Sequence, residues 1–276
     1  MGIFNLHGRV AVVTGGTAGL GRGMAIALAR QGADLAILAR RPDKLTETAR
    51  EIESLGGRCL PVVCDISDEA SVQNAVETVV NHYKKVDILV NNAGNGGPSI
   101  PTVDMPQEIF DKVVNLDLCS LFRVMKAFGK VMVEAGYGRI INIASAMGMV
   151  GNLGVPLAGY QAAKGGVINL TRAAAAEWAT QGVTVNNICP SMFPSESNGA
   201  DLMEESQTFI KRMTPMQRAG TPTDLNTVGG RYGCRGGGPG QRGVPVYYRY
   251  HPALRRRVDL RVVEDRQSKQ EPDILF

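Results

Sequence analysis

The sequence lacks a paired cysteine motif, a leader-like N-terminus and a long apolar run. Its five cysteines form no Cys-x-x-Cys pair, which argues against a disulfide framework and against a metal site. No stretch is apolar for long enough to cross a membrane. Residue 6 is Leu rather than the Ser or Thr that favours acylation of Gly2. We therefore expect a cytoplasmic protein with no metal and no membrane partner.

The positive charge is confined to the C-terminal segment. The net charge is +4, and residues 229–276 hold ten Lys and Arg against five Asp and Glu, so the preceding part is nearly neutral. A basic tail raises the alternative of nucleic-acid binding. Beyond the cluster of Tyr247, Tyr248 and Tyr250, however, its arginines have little aromatic interleaving, so we expect no nucleic-acid partner.

Short apolar segments alternate with helical patterns along the first two thirds of the chain. The length of 276 residues and the hydrophobic content of 44% suit one large domain. Residues 107–136 read as one long helix. Predicted strands cover residues 9–14, 33–39, 59–65, 86–94, 138–146 and 183–190. This alternation predicts an α/β fold with a single doubly wound, Rossmann-type parallel sheet and helices on both faces. Ligands of such sheets bind beyond the carboxyl ends of the strands.

A glycine-rich turn, TGGTAGLG, lies between the first predicted strand and the first helix. Gly15, Gly19 and Gly21 would let the backbone approach a pyrophosphate at the helix N-terminus, with Thr17 and Leu20 beside it. A purely structural turn also uses glycine, so the prediction of dinucleotide binding depends on the position of the turn between a strand and a helix.

Arg40 and Arg41 follow the second predicted strand, where an acidic residue would indicate NAD. A guanidinium suits a 2′-phosphate, so we predict that NADP(H) is preferred over NAD(H). The alternative is a pair of solvated arginines at the start of a helix.

Two further strand ends carry candidate cofactor contacts. Asp65 and Ile66 end the third strand, where Asp65 would bind the adenine amino group or, alternatively, cap the next helix. Asn92, Ala93 and Gly94 end the fourth, where small side chains would admit a cofactor ring or simply form a turn.

The most specific constellation is Tyr160 with Lys164 in YQAAK. Residues i and i+4 share a helix face, so the ammonium would lower the phenol pKa and make Tyr160 an acid and base. Ser145 ends the fifth predicted strand and would hold the same substrate oxygen. Asn115, in the long helix, would fix a water behind Lys164.

These motifs, in this order, resemble the short-chain dehydrogenase/reductase family over residues 6–228. The resemblance implies that Tyr160 is the acid and base, that Lys164 binds the nicotinamide ribose, that Ser145 positions the substrate and that Asn115 completes a proton relay. It also implies that Pro190 and Ser191 lie near the carboxamide, although the usual Pro-Gly is Pro-Ser here. Within the family, the chain is most similar to the gluconate 5-dehydrogenase and 3-oxoacyl-carrier-protein reductase group, whose members form homodimers or homotetramers.

Two functional alternatives stay open beside a small keto-sugar acid, polyol or 3-oxoacyl substrate. Apolar residues between positions 192 and 210, including Met203, suit a larger hydroxysteroid-like alcohol. An altered C-terminus would alternatively leave a nucleotide-binding protein without activity.

The tail of residues 229–276 departs from the family, which normally closes with a seventh strand. Codons permitted by residues 243–259, read one base later, spell ASRYITGITLPFDGGW, which contains the family's usual SRYITG and DGG. We therefore expect a catalytic domain of residues 1–228, a frame-shifted and poorly ordered tail, and a missing or altered last strand.

Overall fold

The computed structural model describes residues 5–151, 154–193, 208, 210–211 and 217–220. The strands are β1 (Val10–Thr14), β2 (Asp34–Ala39), β3 (Cys59–Val63), β4 (Ile88–Asn91), β5 (Gly138–Ile143) and β6 (Val183–Ile188). The helices are α1 (Gly19–Arg30), α2 (Pro42–Ser54), α3 (Glu69–Tyr83), α4 (Gln107–Val114), α5 (Ser120–Glu134) and α6 (Ala158–Trp178). The polar, helix-like segment from Pro194 to about Met213, which the sequence places where a lid could lie over the site, falls largely outside the described residues. The tail and its missing strand fall wholly outside them.

All strands of the described sheet are parallel, in the order β3-β2-β1-β4-β5-β6. The order reverses between β1 and β4, where the crossovers pass to opposite faces. A crevice therefore opens beyond the carboxyl ends of these two strands. The predicted doubly wound α/β fold is confirmed.

Side chains alternate between two apolar layers, one on each face of the sheet. Ala11 and Val13 of β1 face the layer that α1 and α2 cover, whereas Val10 and Val12 face the layer beneath α3 and α5. Strands buried on both faces need continuous apolar sequence. Polar residues at their ends consequently stand out as site candidates.

The predicted long helix is interrupted. A π-helical turn, Asn115–Cys119, separates α4 from α5. Such turns are wider than an α-helix and often occur at functional sites. The turn rotates α5 relative to α4, which decides which side chains face the sheet.

The cap of α3 also differs from the expected alternative. Asp68, rather than Asp65, is the N-cap, and its carboxylate accepts hydrogen bonds from the main-chain N–H groups of Ala70 and Ser71, both at 3.2 Å. No helix within the described part of the chain is both long and apolar enough for a membrane span.

Candidate active site

The turn between β1 and α1 brings main-chain atoms unusually close together. Gly15 and Gly19 have φ values of +63° and +49°, which residues with a Cβ rarely adopt. A Cβ on Gly21 would overlap the Gly15 carbonyl oxygen. The first turn of α1 holds no acidic residue, and its N-cap, Ala18, has no polar side chain. Its N–H groups and dipole therefore suit the pyrophosphate of a dinucleotide.

The end of β4 is hydrogen-bonded to this turn. Thr14 Oγ1 accepts hydrogen bonds from the main-chain N–H groups of Asn92 at 2.9 Å and Ala93 at 3.1 Å. Asn92 Nδ2 donates to the carbonyl oxygens of Thr14 at 3.2 Å and Gly15 at 3.4 Å. The other predicted contacts of the turn are buried Thr17 and partly buried Leu20.

Arg40 and Arg41 are exposed just after β2. Asp65, just after β3, accepts hydrogen bonds from Ser67 through its N–H at 2.9 Å and its Oγ at 2.6 Å. These hydrogen bonds hold the pKa of Asp65 below its usual value, and the charge of Arg40 lowers it further. Ile66 is buried. The structure thus brings the predicted ribose and adenine contacts to one edge.

Ser145, Tyr160 and Lys164 meet beyond the carboxyl end of β5. Ser145 is 7% exposed, and its Oγ accepts a hydrogen bond from Met147 N at 3.1 Å. Ser145 also interacts with the Tyr160 phenol and lowers its pKa. Lys164 Nζ lies 5.6 Å from the centre of the Tyr160 ring and donates to the Ile143 carbonyl oxygen at 3.0 Å. The cluster has the geometry for proton transfer at the phenolic oxygen.

The electrostatics of Tyr160 differ from the expectation. Burial raises its pKa above 10, the hydrogen bond from Ser145 opposes this, and the charge of Asp117 adds to it. Burial also lowers the pKa of Lys164, so the lysine is itself costly to keep charged. The expected lowering of the phenol pKa by Lys164 is therefore absent from this arrangement of groups.

Asn115 is not part of this cluster. It is exposed at the start of the π-helical turn, and its main-chain oxygen accepts a hydrogen bond from Ser120 Oγ at 2.9 Å. Asp117 instead is fully buried, with Oδ1 3.4 Å from Lys164 Nζ. Residues two apart on a helix point to nearly opposite sides. The structure therefore does not support Asn115 as the relay residue and places Asp117 beside the lysine.

Helical spacing in the sequence already contains the signal for Asp117. Buried Asp117, Leu121, Val124 and Phe128 follow one another at intervals of three or four residues, the spacing of one helix face. An acidic residue on an otherwise apolar face indicates a buried charge with a partner. Asn115 has the expected amide, but it lies two residues away from this face.

The end of β6 closes the site from the other side. Pro190 is buried, and its carbonyl oxygen accepts a hydrogen bond from Ala146 N at 2.9 Å, next to Ser145. Ser191 is exposed. Burial raises the pKa of the neighbouring Cys189 thiol, which keeps it protonated.

A dinucleotide fits these residues because the glycine turn and an uncapped helix N-terminus form a phosphate cradle within reach of the tyrosine cluster. Among the described residues, no group of three His, Cys, Asp or Glu is placed to hold a metal ion. The fold and site together define a Rossmann-type oxidoreductase of alcohol and keto groups.

Comparison with known proteins specifies this class. Residues 9–205 match the short chain dehydrogenase family. The chain is 36% identical over 225 residues to a 2-dehydro-3-deoxy-D-gluconate 5-dehydrogenase from Pseudoalteromonas atlantica, covering 80% of this chain and 87% of that one. It is 34% identical over 221 residues to a 3-oxoacyl-[acyl-carrier-protein] reductase from Synechocystis, again covering 80% and 87%.

The solved structures agree. A putative gluconate dehydrogenase from Agrobacterium tumefaciens superposes with a TM-score of 0.80 at 34% identity, covering 85% of this chain and 92% of that one. The chain belongs to the short-chain dehydrogenase/reductase family, whose members are oxidoreductases acting on CH–OH groups. The resemblance noted from the sequence is confirmed.

Proposed function

We propose that this protein is an NADP(H)-preferring oxidoreductase acting on the carbonyl or secondary alcohol of a small keto-sugar acid, polyol or 3-oxoacyl compound. The observation that carries the proposal is the cluster of Ser145 and Tyr160 beside buried Lys164. It lies at the same edge of the sheet as the glycine turn.

The protein's own residues handle the proton and the orientation of the substrate. Tyr160 gives a proton to the substrate oxygen in reduction and takes it in oxidation, while Ser145 holds that oxygen by a hydrogen bond. Lys164 carries positive charge next to the phenol and reaches the nicotinamide ribose. When bound, the nicotinamide supplies or accepts the hydride.

The substrate class follows the relatives. One is named a 2-dehydro-3-deoxy-D-gluconate 5-dehydrogenase and another a 3-oxoacyl-[acyl-carrier-protein] reductase. In either type of substrate, we expect Ser145 and Tyr160 to bind the oxygen of the alcohol or carbonyl group that reacts. The hydroxysteroid alternative depended on a lid whose residues lie largely outside the described part of the chain.

Two exposed cations support the preference for NADP(H). Arg40 and Arg41 follow β2, at the edge where the ribose 2′-position is read in this type of fold. The carboxylate of Asp65, the acidic residue nearest to these arginines along the strand ends, does not compete with them for the ribose. It is hydrogen-bonded to Ser67, and the charge of Arg40 lowers its pKa.

The test is oxidation of NADPH and of NADH, followed by nicotinamide absorbance, over ketones, 5-keto-sugar acids and acetoacetyl thioesters. We expect turnover that is faster at limiting NADPH than at limiting NADH. Tyr160→Phe should lose at least about a hundredfold in rate while keeping nucleotide affinity. Nucleotide binding without turnover of any compound in the panel would instead favour the inactive alternative.

The remaining expectations belong to the same proposal. We place the catalytic domain at residues 1–228, followed by a tail of residues 229–276, and infer a cytoplasmic homodimer or homotetramer. A version with the tail restored to the alternative reading frame separates two outcomes. Activity gained only on restoration supports a frame shift, whereas equal activity contradicts a requirement for the missing strand.

A further inference from the structure

A fully buried acid stands next to the proton-transfer cluster without a part in the proposed mechanism. Asp117 is 0% exposed, although ionised carboxylates are rarely buried unless they are paired. Its Oδ1 lies 3.4 Å from Lys164 Nζ, and Lys164 is 4% exposed. The pair is therefore shielded from solvent on both sides, where charge interactions are stronger than at the surface.

Main-chain groups hold the carboxylate in place. Asn95 N–H donates to Oδ1 at 3.1 Å and to Oδ2 at 3.3 Å. Gly94 leaves the room that the pair occupies, because a Cβ there would overlap Asp117 Oδ1 and lie 3.4 Å from Lys164 Nζ. The π-helical turn aims the Asp117 side chain at this gap. The loop after β4, the π-helical turn and α6 thus converge on one ion pair.

We propose that Asp117 is a positioning residue of the active site, whose carboxylate keeps Lys164 charged and in place and electrostatically disfavours ionisation of Tyr160. The inference rests on the proposed function for its consequence in turnover. The effect of Asp117 on the titration of Tyr160 can be measured without any substrate.

The pKa shifts of the groups around Asp117 show that the ion pair with Lys164 opposes the effect of burial. Burial lowers the pKa of Lys164, and Asp117 is the main influence that opposes this. Burial likewise raises the pKa of Asp117, opposed by Lys164. Asp117 raises the pKa of Tyr160. Cys189, the remaining group near the lysine, is kept neutral by burial.

Removal of the negative charge of Asp117 should lower the pKa of both Lys164 and Tyr160. Without Asp117 the Lys164 ammonium loses its counter-charge, and the Tyr160 phenolate loses a repulsive one, so each group gives up its proton at lower pH. Reduction needs Tyr160 protonated and Lys164 charged. The alkaline fall of reductase activity should therefore move to lower pH.

The experiment compares Asp117→Asn with the parent chain. Asparagine keeps the size of the side chain and an oxygen for Asn95 N–H, so it removes the charge and spares the loop. We expect the alkaline limb of the reduction profile to fall about one pH unit earlier. Phenolate absorbance, taken as the difference between each protein and its Tyr160→Phe counterpart, should show an equal shift of Tyr160 without substrate or cofactor.

Asp87→Asn is the matched control, because Asp87 is also a buried acid paired with cations, at the amino end of β4 and away from the site. It should move neither titration. Unchanged titrations in folded Asp117→Asn, or in Asp117→Thr as a second neutral variant, would overturn the proposal. So would a parent Tyr160 that titrates below its ordinary value, which needs no variant at position 117. If no compound is turned over, the phenolate titration still decides the matter, and only the proposed function fails.

Discussion

Replacement of Gly21 by alanine probes the close contact on which the nucleotide site is built. The added Cβ would overlap the Gly15 carbonyl oxygen and lie 2.9 Å from its carbon, well inside the contact distance of about 3.5 Å. The same Cβ would overlap Asn92 Nδ2, which clamps the end of β4 to the glycine turn. Gly15 is held by the bond from its N–H to the Leu38 carbonyl oxygen at 2.8 Å, and Asn92 directly follows β4, so the start of α1 has to move.

The magnitude follows from these two displacements. Overpacking of a rigid site costs about 1–3 kcal/mol, and each clamp hydrogen bond that is lost adds about 1 kcal/mol. With one bond lost, the total is about 2–4 kcal/mol, and at about 2–4 °C per kcal/mol the melting temperature should fall by about 4–16 °C. Because the turn also cradles the phosphates, nucleotide affinity should weaken about tenfold, the equivalent of about 1.4 kcal/mol.

The assay pairs thermal unfolding by circular dichroism with calorimetric titration of NADP. Gly57→Ala is the control, because the nearest atom to a Cβ there is Ile52 Cγ2 at 3.4 Å and the backbone is not left-handed. The reasoning is refuted if Gly21→Ala melts and binds nucleotide like Gly57→Ala. Weak binding with an unchanged melting temperature would instead confine the effect to the phosphate contact.

Three further changes test other parts of the structure. Joint replacement of Arg40 and Arg41 by alanine should raise KM for NADPH several-fold and leave KM for NADH nearly unchanged in steady-state assays, because only the former cofactor carries a 2′-phosphate. Asp87→Asn should cost about 1 kcal/mol at neutral pH, an amount limited by its half-exposed partners. Burial acts to raise the pKa of Asp87, but hydrogen bonds and cations lower it overall. This stability is therefore present above the unfolded pKa and is lost as pH falls through the folded one, so urea unfolding should show the difference vanishing in acid. Thr171→Val should cost about 1–3 kcal/mol by the same measurement, because the buried Asn142 Nδ2 loses Thr171 Oγ1 at 3.0 Å and keeps only the weak acceptor Met125 Sδ at 3.5 Å.

The sheet was predictable because its strands are continuous apolar runs bounded by turn residues, and the structure confirms each of them. The glycine turn, Ser145, Tyr160 and Lys164 were predictable as neighbours because parallel strands end at one edge. The interruption of the helix between α4 and α5 was not predictable in this way. A π-helical turn has no strong sequence signature, and the backbone at both of its ends, Asn115 and Cys119, has ordinary helical dihedrals.

The electrostatics of the site were harder to anticipate than its composition. The spacing of Tyr160 and Lys164 predicts that they share a helix face, but the sign of a pKa shift depends on burial and on every charge nearby. Burial dominates at both residues, and Asp117 comes from a different element. A motif on one helix cannot report a counter-charge from another.

Buried polar residues within two strands link the sheet to the helix behind the site. Asn91 of β4 and Asn142 of β5 are 2% and 0% exposed, and Asn91 Nδ2 donates to Asn142 Oδ1 at 2.9 Å. Asn142 then donates to Thr171 on α6, the helix that also carries Tyr160 and Lys164. Buried amides are costly unless they are hydrogen-bonded, so this line fixes the register of two strands and one helix together. The helix that carries Tyr160 and Lys164, the proposed catalytic residues, is thereby tied to the sheet. The loss of Thr171 should therefore lower stability first and then disturb the placement of Tyr160.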